Sequence, residues 1–304
     1  MPLDPPLPRR YGLKPAWVQT KADPGPGRGT MGDWLRATIG EKVAVDRLLA
    51  EARFVYGDGS PVLDGDPFRP HGFVWFHRDL PEEAEVPGRI EVLHRDDRLV
   101  VVDKPAFLST IPRGRHILQS VVVRLRDELG MPDLSPVHRL DRVTSGVLLL
   151  ATEQEWRRPY QDMFAAGEVT KTYLALAPWR EDVAFPVTVH NHIRKEKLAW
   201  RADVVPGAPV NAETLIEVAD VREDGLAIYR LTPRTGRTHQ LRLHLFGLGL
   251  PIEDDPLYPE VRDIDTDDHA RPLQLLASEI AFTDPVDGTA RRFRSRRAFP
   301  LLGD

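Results

Sequence analysis

Three times after residue 89, two short apolar runs flank a tight polar turn, and this pattern narrows the fold more than any other feature of the chain. Residues 90–94 and 99–102 flank Arg-Asp-Asp, 213–220 and 226–231 flank Glu-Asp-Gly, and 278–283 and 289–293 flank Asp-Pro-Val-Asp-Gly. Short strand-forming runs bounded by Asp and Gly read as β-hairpins, so these neighbours should pair antiparallel. Residues 147–151, Val-Leu-Leu-Leu-Ala, make a continuous apolar run of strand length, which suits a strand covered on both faces. A helix is expected over 118–129, with Leu118, Val122, Leu125 and Leu129 on one face and Gly130 and Pro132 ending it. Hairpins with a few interspersed helices predict an α+β fold around a mixed or antiparallel sheet.

The first 88 residues have a different texture. Seven prolines between positions 2 and 28 predict an extended leader, 31–52 has helical spacing, and 54–62 and 73–76 read as short strands. An acidic, turn-rich stretch at 81–88 suits a linker. The expected organisation is an N-terminal extension, 1–88, and a main domain, 89–304, a split that a 304-residue chain accommodates.

There is no cysteine, which excludes disulfides, thiolate nucleophiles and Cys-ligated zinc and fits a reducing compartment. No apolar run approaches the ~20 residues that span a bilayer, and the N-terminus has no signal-peptide core, so the expectation is a cytoplasmic protein without a membrane partner. A net charge of −5 speaks against a generic nucleic-acid coat, but local clustering decides that question. Between 225 and 252 there is no acid, while Arg230, Arg234, Arg237, His239, Arg242 and His244 fall there. Arg291, Arg292, Arg294, Arg296 and Arg297 form a second basic run, for which a solvated arginine-rich face is the plain alternative.

Three segments carry candidate chemistry. His138-Arg139-Leu140-Asp141-Arg142-Val143-Thr144-Ser145-Gly146 places one acid between two arginines, whose charges favour the carboxylate anion, and ends in small residues that would let backbone approach a ligand. A salt-bridged cap on the following strand explains the same composition. In the second, Thr235-Gly236 makes a turn, Thr238 is the expected N-cap, and Leu241, Leu245 and Leu248 share one helix face. His239 and Arg242 share another, near a positive helix N-terminus that suits phosphate or carboxylate; an amphipathic helix with a solvated basic side is the plain alternative. His239 and His244 are five apart, a poor spacing for two helical ligands, so no metal site is expected. The third, residues 171–176, alternates as a strand does and puts Tyr173 on the face of Lys171 and Ala175, for core packing or for stacking on a base.

Taken in this order, the segments resemble the RluA family of RNA pseudouridine synthases. Val101-Val102-Asp103-Lys104-Pro105 is similar to the family's Lys-Pro strand end, and 138–146 with 147–151 to its nucleophile loop. Residues 171–175 resemble its tyrosine strand and 235–244 its basic helix, followed by Gly249-Leu250-Pro251-Ile252 and Asp255-Pro256-Leu257-Tyr258. The resemblance spans about residues 90–285. It implies a pseudouridine-synthase-type α+β catalytic domain with a small N-terminal extension, the latter either a degenerate S4-like RNA-binding module or a structural addition. The implied activity is isomerisation of specific uridines to pseudouridine in ribosomal or transfer RNA, by a monomer without cofactor. Asp141 would be the nucleophile and Tyr173 would stack on the target uracil. Arg242 would pair with Asp141, Arg139 would contact RNA, Leu275 would supply an apolar wall, and His138, Arg237 and His239 would help bind substrate. The family usually has Gly where Phe107 and Asp254 stand, His where Leu276 stands, and Gly at Pro259. The target base must leave its stack to be reached, and Asp141 would then attack C1′ or remove the C2′ proton. Two rivals stand beside this reading: a non-catalytic RNA-binding or ribosome-assembly factor on the same fold, and a nucleosidase, which would normally need a second carboxylate.

Overall fold

The computed structural model describes residues 5–40, 43–80, 82–114, 116–197, 199–262 and 268–301. Parts of the expected leader (residues 1–4), of the expected helical stretch (41–42) and of the expected linker (81) lie outside the described residues. The chain forms two compact units, 1–82 and 83–304.

The first unit contains β1 (Ala16–Gln19), α1 (Met31–Thr38), α2 (Val45–Ala50), β2 (Val55–Tyr56) and β3 (Phe73–Phe76). The leader is therefore not wholly irregular: Ala16–Gln19 pairs antiparallel with β3, whose other edge takes β2. The single helical stretch expected over 31–52 is two helices. Thr30 caps the first, its hydroxyl accepting Asp33 N–H at 3.1 Å. The strand expected over 54–62 shrinks to two residues, because Gly57-Asp58-Gly59 turns the chain back and Val62 N–H bonds Phe54 O at 2.8 Å. Met31, Leu35, Leu48, Phe54 and Val62, each fully buried, form this unit's core.

The second unit opens with β4 (Glu91–Arg95), β5 (Leu99–Lys104), α3 (Val121–Glu128), β6 (Ser135–Pro136) and β7 (Ser145–Ala151). It continues with α4 (Gln154–Ala166), β8 (Thr170–Pro178), β9 (Val187–Asn191), β10 (Ile193–Arg194), β11 (Asp203–Val204) and β12 (Ala212–Val221). It ends with β13 (Leu226–Pro233), α5 (Gln240–Gly247), β14 (Leu275–Thr283) and β15 (Ala290–Arg294). The main sheet runs β4-β5-β7-β14-β8-β13-β12-β9, with β15 on β14 and β6 on β7. All three expected hairpins are present, as β4–β5, β12–β13 and β14–β15. The β7–β14 pair is parallel, so the sheet is mixed.

Both faces of the central strands are covered, as their unbroken apolar runs require. Val100, Val102, Leu148 and Leu150 point into one core; Leu99, Val101, Val147 and Leu149 point into another, with Tyr160 and Met163 of α4. Helix α3 starts at Val121 rather than near 118, because Ile117, Leu118 and Gln119 give their N–H groups to the Glu83 carboxylate at 2.8–2.9 Å. No helix among the described residues is long and apolar enough to cross a membrane.

Candidate active site

Asp141 stands on the loop between β6 and β7, held from below by three devices. Leu140 and Val143 on either side are buried in the core, so the carboxylate between them is turned outward and 34% exposed. The Thr110 hydroxyl donates to Leu140 O at 2.8 Å and accepts Leu140 N–H at 3.2 Å. Lys104, fully buried, donates to Pro105 O, Leu108 O and Arg142 O at 2.9, 2.8 and 3.1 Å, which saturates its ammonium and ties the loop to the end of β5. Burial pulls the Lys104 pKa well below its ordinary value, so these carbonyls matter to the charged form.

The small residues after Asp141 serve packing rather than a ligand. Thr144 and Ser145 are buried, and a Cβ on Gly146 (φ +113°) would lie 2.3 Å from Ala277 O. The glycine lets β7 and β14 run parallel at close range.

The basic helix also departs from expectation. Its N-cap is His239, in the left-handed region at φ +58°, not Thr238, and residues 240–245 are all buried, so α5 has no solvated basic side. The cap's work is done by Gln240. Its Oε1 accepts from Arg237 N–H (3.0 Å) and the Thr235 hydroxyl (2.7 Å), while its Nε2 donates to Glu213 O and the Thr214 hydroxyl. Burying Arg242 to 2% exposure is possible because Asp255, itself 1% exposed, meets it in a bidentate pair with Nε and Nη2 at 2.7 and 2.5 Å. Burial alone would lower the Arg242 pKa; the Asp255 hydrogen bonds and charge, with that of Asp141, raise it instead. The remaining Nη1 lies 3.6 Å from Asp141 Oδ2. The principal partner of Arg242 is thus Asp255, and Asp141 receives the side left over. Asp255 also accepts the N–H groups of Leu257 and Tyr258 at 2.8 and 3.1 Å, so this second carboxylate is fully engaged and no free base.

The tautomer of His239 follows from its neighbours. Tyr258 Oη is 2.7 Å from Ala202 O, to which it must donate, and it accepts Ala202 N–H at 3.1 Å. His239 Nδ1, 3.0 Å from the same oxygen, therefore donates to it. Burial brings the His239 pKa down to about 4, so the ring is neutral near pH 7 and Nε2 carries a lone pair. That nitrogen faces Asp141 Oδ2 across 3.9 Å. Two acceptors face each other, and whatever sits between them must bring hydrogen.

Tyr173, half-buried on β8, has its phenol pKa pushed up by burial and then by the charge of Asp141. Leu275, 3% exposed on β14, lines the same groove. Arg139 and Arg237 stand exposed on the rim; Arg139 makes no ion pair among the described residues, and Arg237 gives Nε only to Asn211 O at 3.1 Å. His138 is committed to the fold: its Nε2 accepts Leu149 N–H at 3.1 Å, its ring stacks on Phe164 at 4.5 Å, and burial pulls its pKa to about 3. Lys195, on the loop after β10, also lines the groove and lies within electrostatic reach of Asp141 and Arg242. The groove measures 2490 Å³, beyond the ~300–1,000 Å³ of small-molecule pockets. Among the described residues no cluster of acids and histidines could hold a metal.

Residues 98–246 match the family model described as RNA pseudouridylate synthase. The dual-specificity RNA pseudouridine synthase RluA of Yersinia pestis is 32% identical over 217 residues, 68% of this chain and 99% of that one. The mitochondrial tRNA pseudouridine(32) synthase of Saccharomyces cerevisiae is 34% identical over 190 residues, 60% of this chain and 39% of that one. The chain belongs to the RluA family of RNA pseudouridine synthases. Its fold is that of the family: the solved human RNA pseudouridylate synthase domain containing 1 superposes with a TM-score of 0.57 at 25% identity, over 71% of this chain and 87% of that one. It is an isomerase of that class. Two of the family's usual glycine positions acquire a physical reason here, since Phe107 and Asp254 both adopt left-handed backbone, at φ +63° and +57°. Phe107 is kept there by the Arg142 guanidinium 5.8 Å above its ring and by the His269 ring at 5.1 Å.

Proposed function

We propose that this RluA-family enzyme takes selected uridines out of structured ribosomal or transfer RNA and isomerises them at Asp141. The observation that carries the reading is the partly exposed Asp141 carboxylate, 3.6 Å from a buried guanidinium, in a groove far larger than a free nucleoside needs. The reaction breaks the C1′–N1 bond and joins C1′ to C5; N1 gains a proton and C5 loses one, so nothing is added or removed. Attack on C1′ and removal of the C2′ proton both need one carboxylate at this place. The Arg242–Asp255 pair fixes where that carboxylate points, and exclusion of water keeps the cleaved intermediate from hydrolysis.

Tyr173 stacks on the uracil and Leu275 closes the apolar side. The ribose 2′-hydroxyl supplies the hydrogen that Asp141 Oδ2 and His239 Nε2 jointly lack. Arg139 and Arg237 meet phosphates at the rim, and His138 shapes the loop beneath. The chemistry requires no metal or organic cofactor. The helix–helix–strand order within the first unit supports a small RNA-binding role of S4-like type, and the cysteine-free composition suits a reducing, cytoplasmic compartment.

Pseudouridine mapping of RNA from cells lacking the protein, complemented with wild type or Asp141→Asn, tests this. The mark should vanish in the deletion, return with wild type and stay absent with the variant. Wild-type pseudouridine levels with Asp141→Asn would sink the assignment, and release of free uracil would make the enzyme a nucleosidase.

A further inference from the structure

Trp200 is the most exposed large apolar side chain among the described residues, at 78%. Exposure alone means little, because single apolar side chains are common on protein surfaces. What sets Trp200 apart is how firmly its neighbours are held. Ala202, two residues on, is fully buried in a small core with Ile193, Leu243 and Tyr258, and both of its backbone groups bond Tyr258 Oη. Arg201 lies over the Tyr258 ring at 4.6 Å and donates to Pro259 O at 3.2 Å. Tyr258 N–H in turn bonds Asp255, the partner of Arg242. The indole therefore projects from a backbone anchored to the unit that orients Asp141, and it lines the same groove.

The loop around it is cationic. Arg194 pairs with Glu196, while Lys195 and Lys197 make no ion pair among the described residues and line the groove with Trp200; Asp203 is the acid that opposes them. An aromatic face between cations is the composition that binds unpaired nucleotides: bases stack and phosphates pair, without sequence preference. Taking a uridine out of its stack strips a neighbouring base of its partner, and that loss needs a substitute.

Resting on the function proposed above, we infer that Trp200 is a stacking platform for an unpaired RNA base adjoining the extruded uridine, with Lys195 and Lys197 reaching the flanking phosphates. Backbone anchored at Arg201 and Ala202 loses less entropy when the indole is engaged than a free loop would.

The test uses the full-length chain and, as probe, total tRNA and rRNA from cells lacking the protein. In an Asp141→Asn background, Trp200→Ala should weaken RNA binding about 5- to 150-fold, and Trp200→Phe should recover most of the loss. With Asp141 intact, the defect of Trp200→Ala should fall on KM rather than kcat. RNA should quench more emission from the Asp141→Asn protein than from Asp141→Asn/Trp200→Phe. Unchanged affinity in Trp200→Ala, or equal quenching in the two proteins, overturns the stacking role and leaves the catalytic assignment standing. If the wild-type enzyme forms no pseudouridine, the underlying function fails, whatever Trp200 does.

Discussion

The C-terminal strand and the groove are both rich in arginine, and they use it in opposite ways. Along 291–297 every arginine meets an acid: Arg291 meets Asp96 and Asp284, Arg292 and Arg294 share Glu279, Arg296 takes Glu91 and Arg297 takes Asp103. That run, which by composition could be a second RNA-binding cluster, is spent on fastening β15 and the residues after it to the sheet. In the groove, Arg234, Arg262 and Arg271 also face acids, but Arg113, Arg139 and Lys195 have no carboxylate partner within ion-pair distance among the described residues. Unpaired cations that repel one another cost stability, and they persist where a polyanion can meet them. Arg242 combines both uses, with a bidentate structural partner on one side and the partly exposed Asp141 carboxylate on the other.

The largest effect should come from Asp141→Asn, which separates chemistry from binding. Turnover should fall by roughly 10⁴–10⁶, the scale of removing a nucleophile. RNA affinity should hold or tighten, because a negative charge leaves a positive groove; single-turnover kinetics and filter binding measure the two. Loss of affinity comparable to the loss of rate would mean that the groove's cations do not act independently of Asp141.

Asp255→Ala asks which kind of arginine Arg242 is. With both partners nearly inaccessible, removing the acid strands a buried charge, at about 3–5 kcal/mol of stability by urea unfolding, and activity should fall because Asp141 loses its aligned neighbour. A cost below 1 kcal/mol would show that Arg242 is held by Asp141 and packing instead.

The contrast between the two groups was only half legible in the sequence. Asp141 could be read because its loop is contiguous and its residue types are unusual together, and the hairpins could be read because a period of two survives in 213–231. Asp255 could not be assigned as the partner of Arg242, since it lies thirteen positions further on, across helix and loop, and nothing in the spacing announces a bidentate pair. Gln240 was hidden for a related reason: its amide caps the preceding turn from inside the helix, where a Thr at 238 matches the usual cap pattern better. The tail arginines misled because counting charges ignores partners, and Glu91, Asp96 and Asp103 lie some two hundred residues away along the chain.

Salt dependence distinguishes the groups next. Arg139→Ala and Arg237→Ala should each reduce the slope of log K against log salt by about 1 and leave the unfolding midpoint in place. Acid titration should split stability into two windows. His138 and His239 have folded pKa values near 3 and 4, below the ordinary 6.5, so the unfolded chain takes up their protons first. The stability they hold is complete above about pH 6.5 and declines as pH falls toward 4. Asp96, held below its ordinary 3.8 by its hydrogen bonds, contributes stability that is lost only at lower pH. His138→Gln, which keeps an acceptor for Leu149 N–H, should shrink the first window by the share of His138, leaving that of His239, and should not touch the second; an unaltered first window would assign it to other groups.

The smallest effect is expected where arginine is most abundant. Arg294 and Arg296 are 68% and 63% exposed in their pairs with Glu279 and Glu91, so water and salt screen most of each interaction. Arg294→Ala and Arg296→Ala should each cost no more than about 1 kcal/mol, and neither should alter RNA affinity or its salt slope. That null result is the informative one, because an arginine already facing a carboxylate has no net charge to offer a phosphate. A salt slope reduced by either substitution would mean that RNA displaces the acids, and the tail would then join the groove as part of one continuous binding surface.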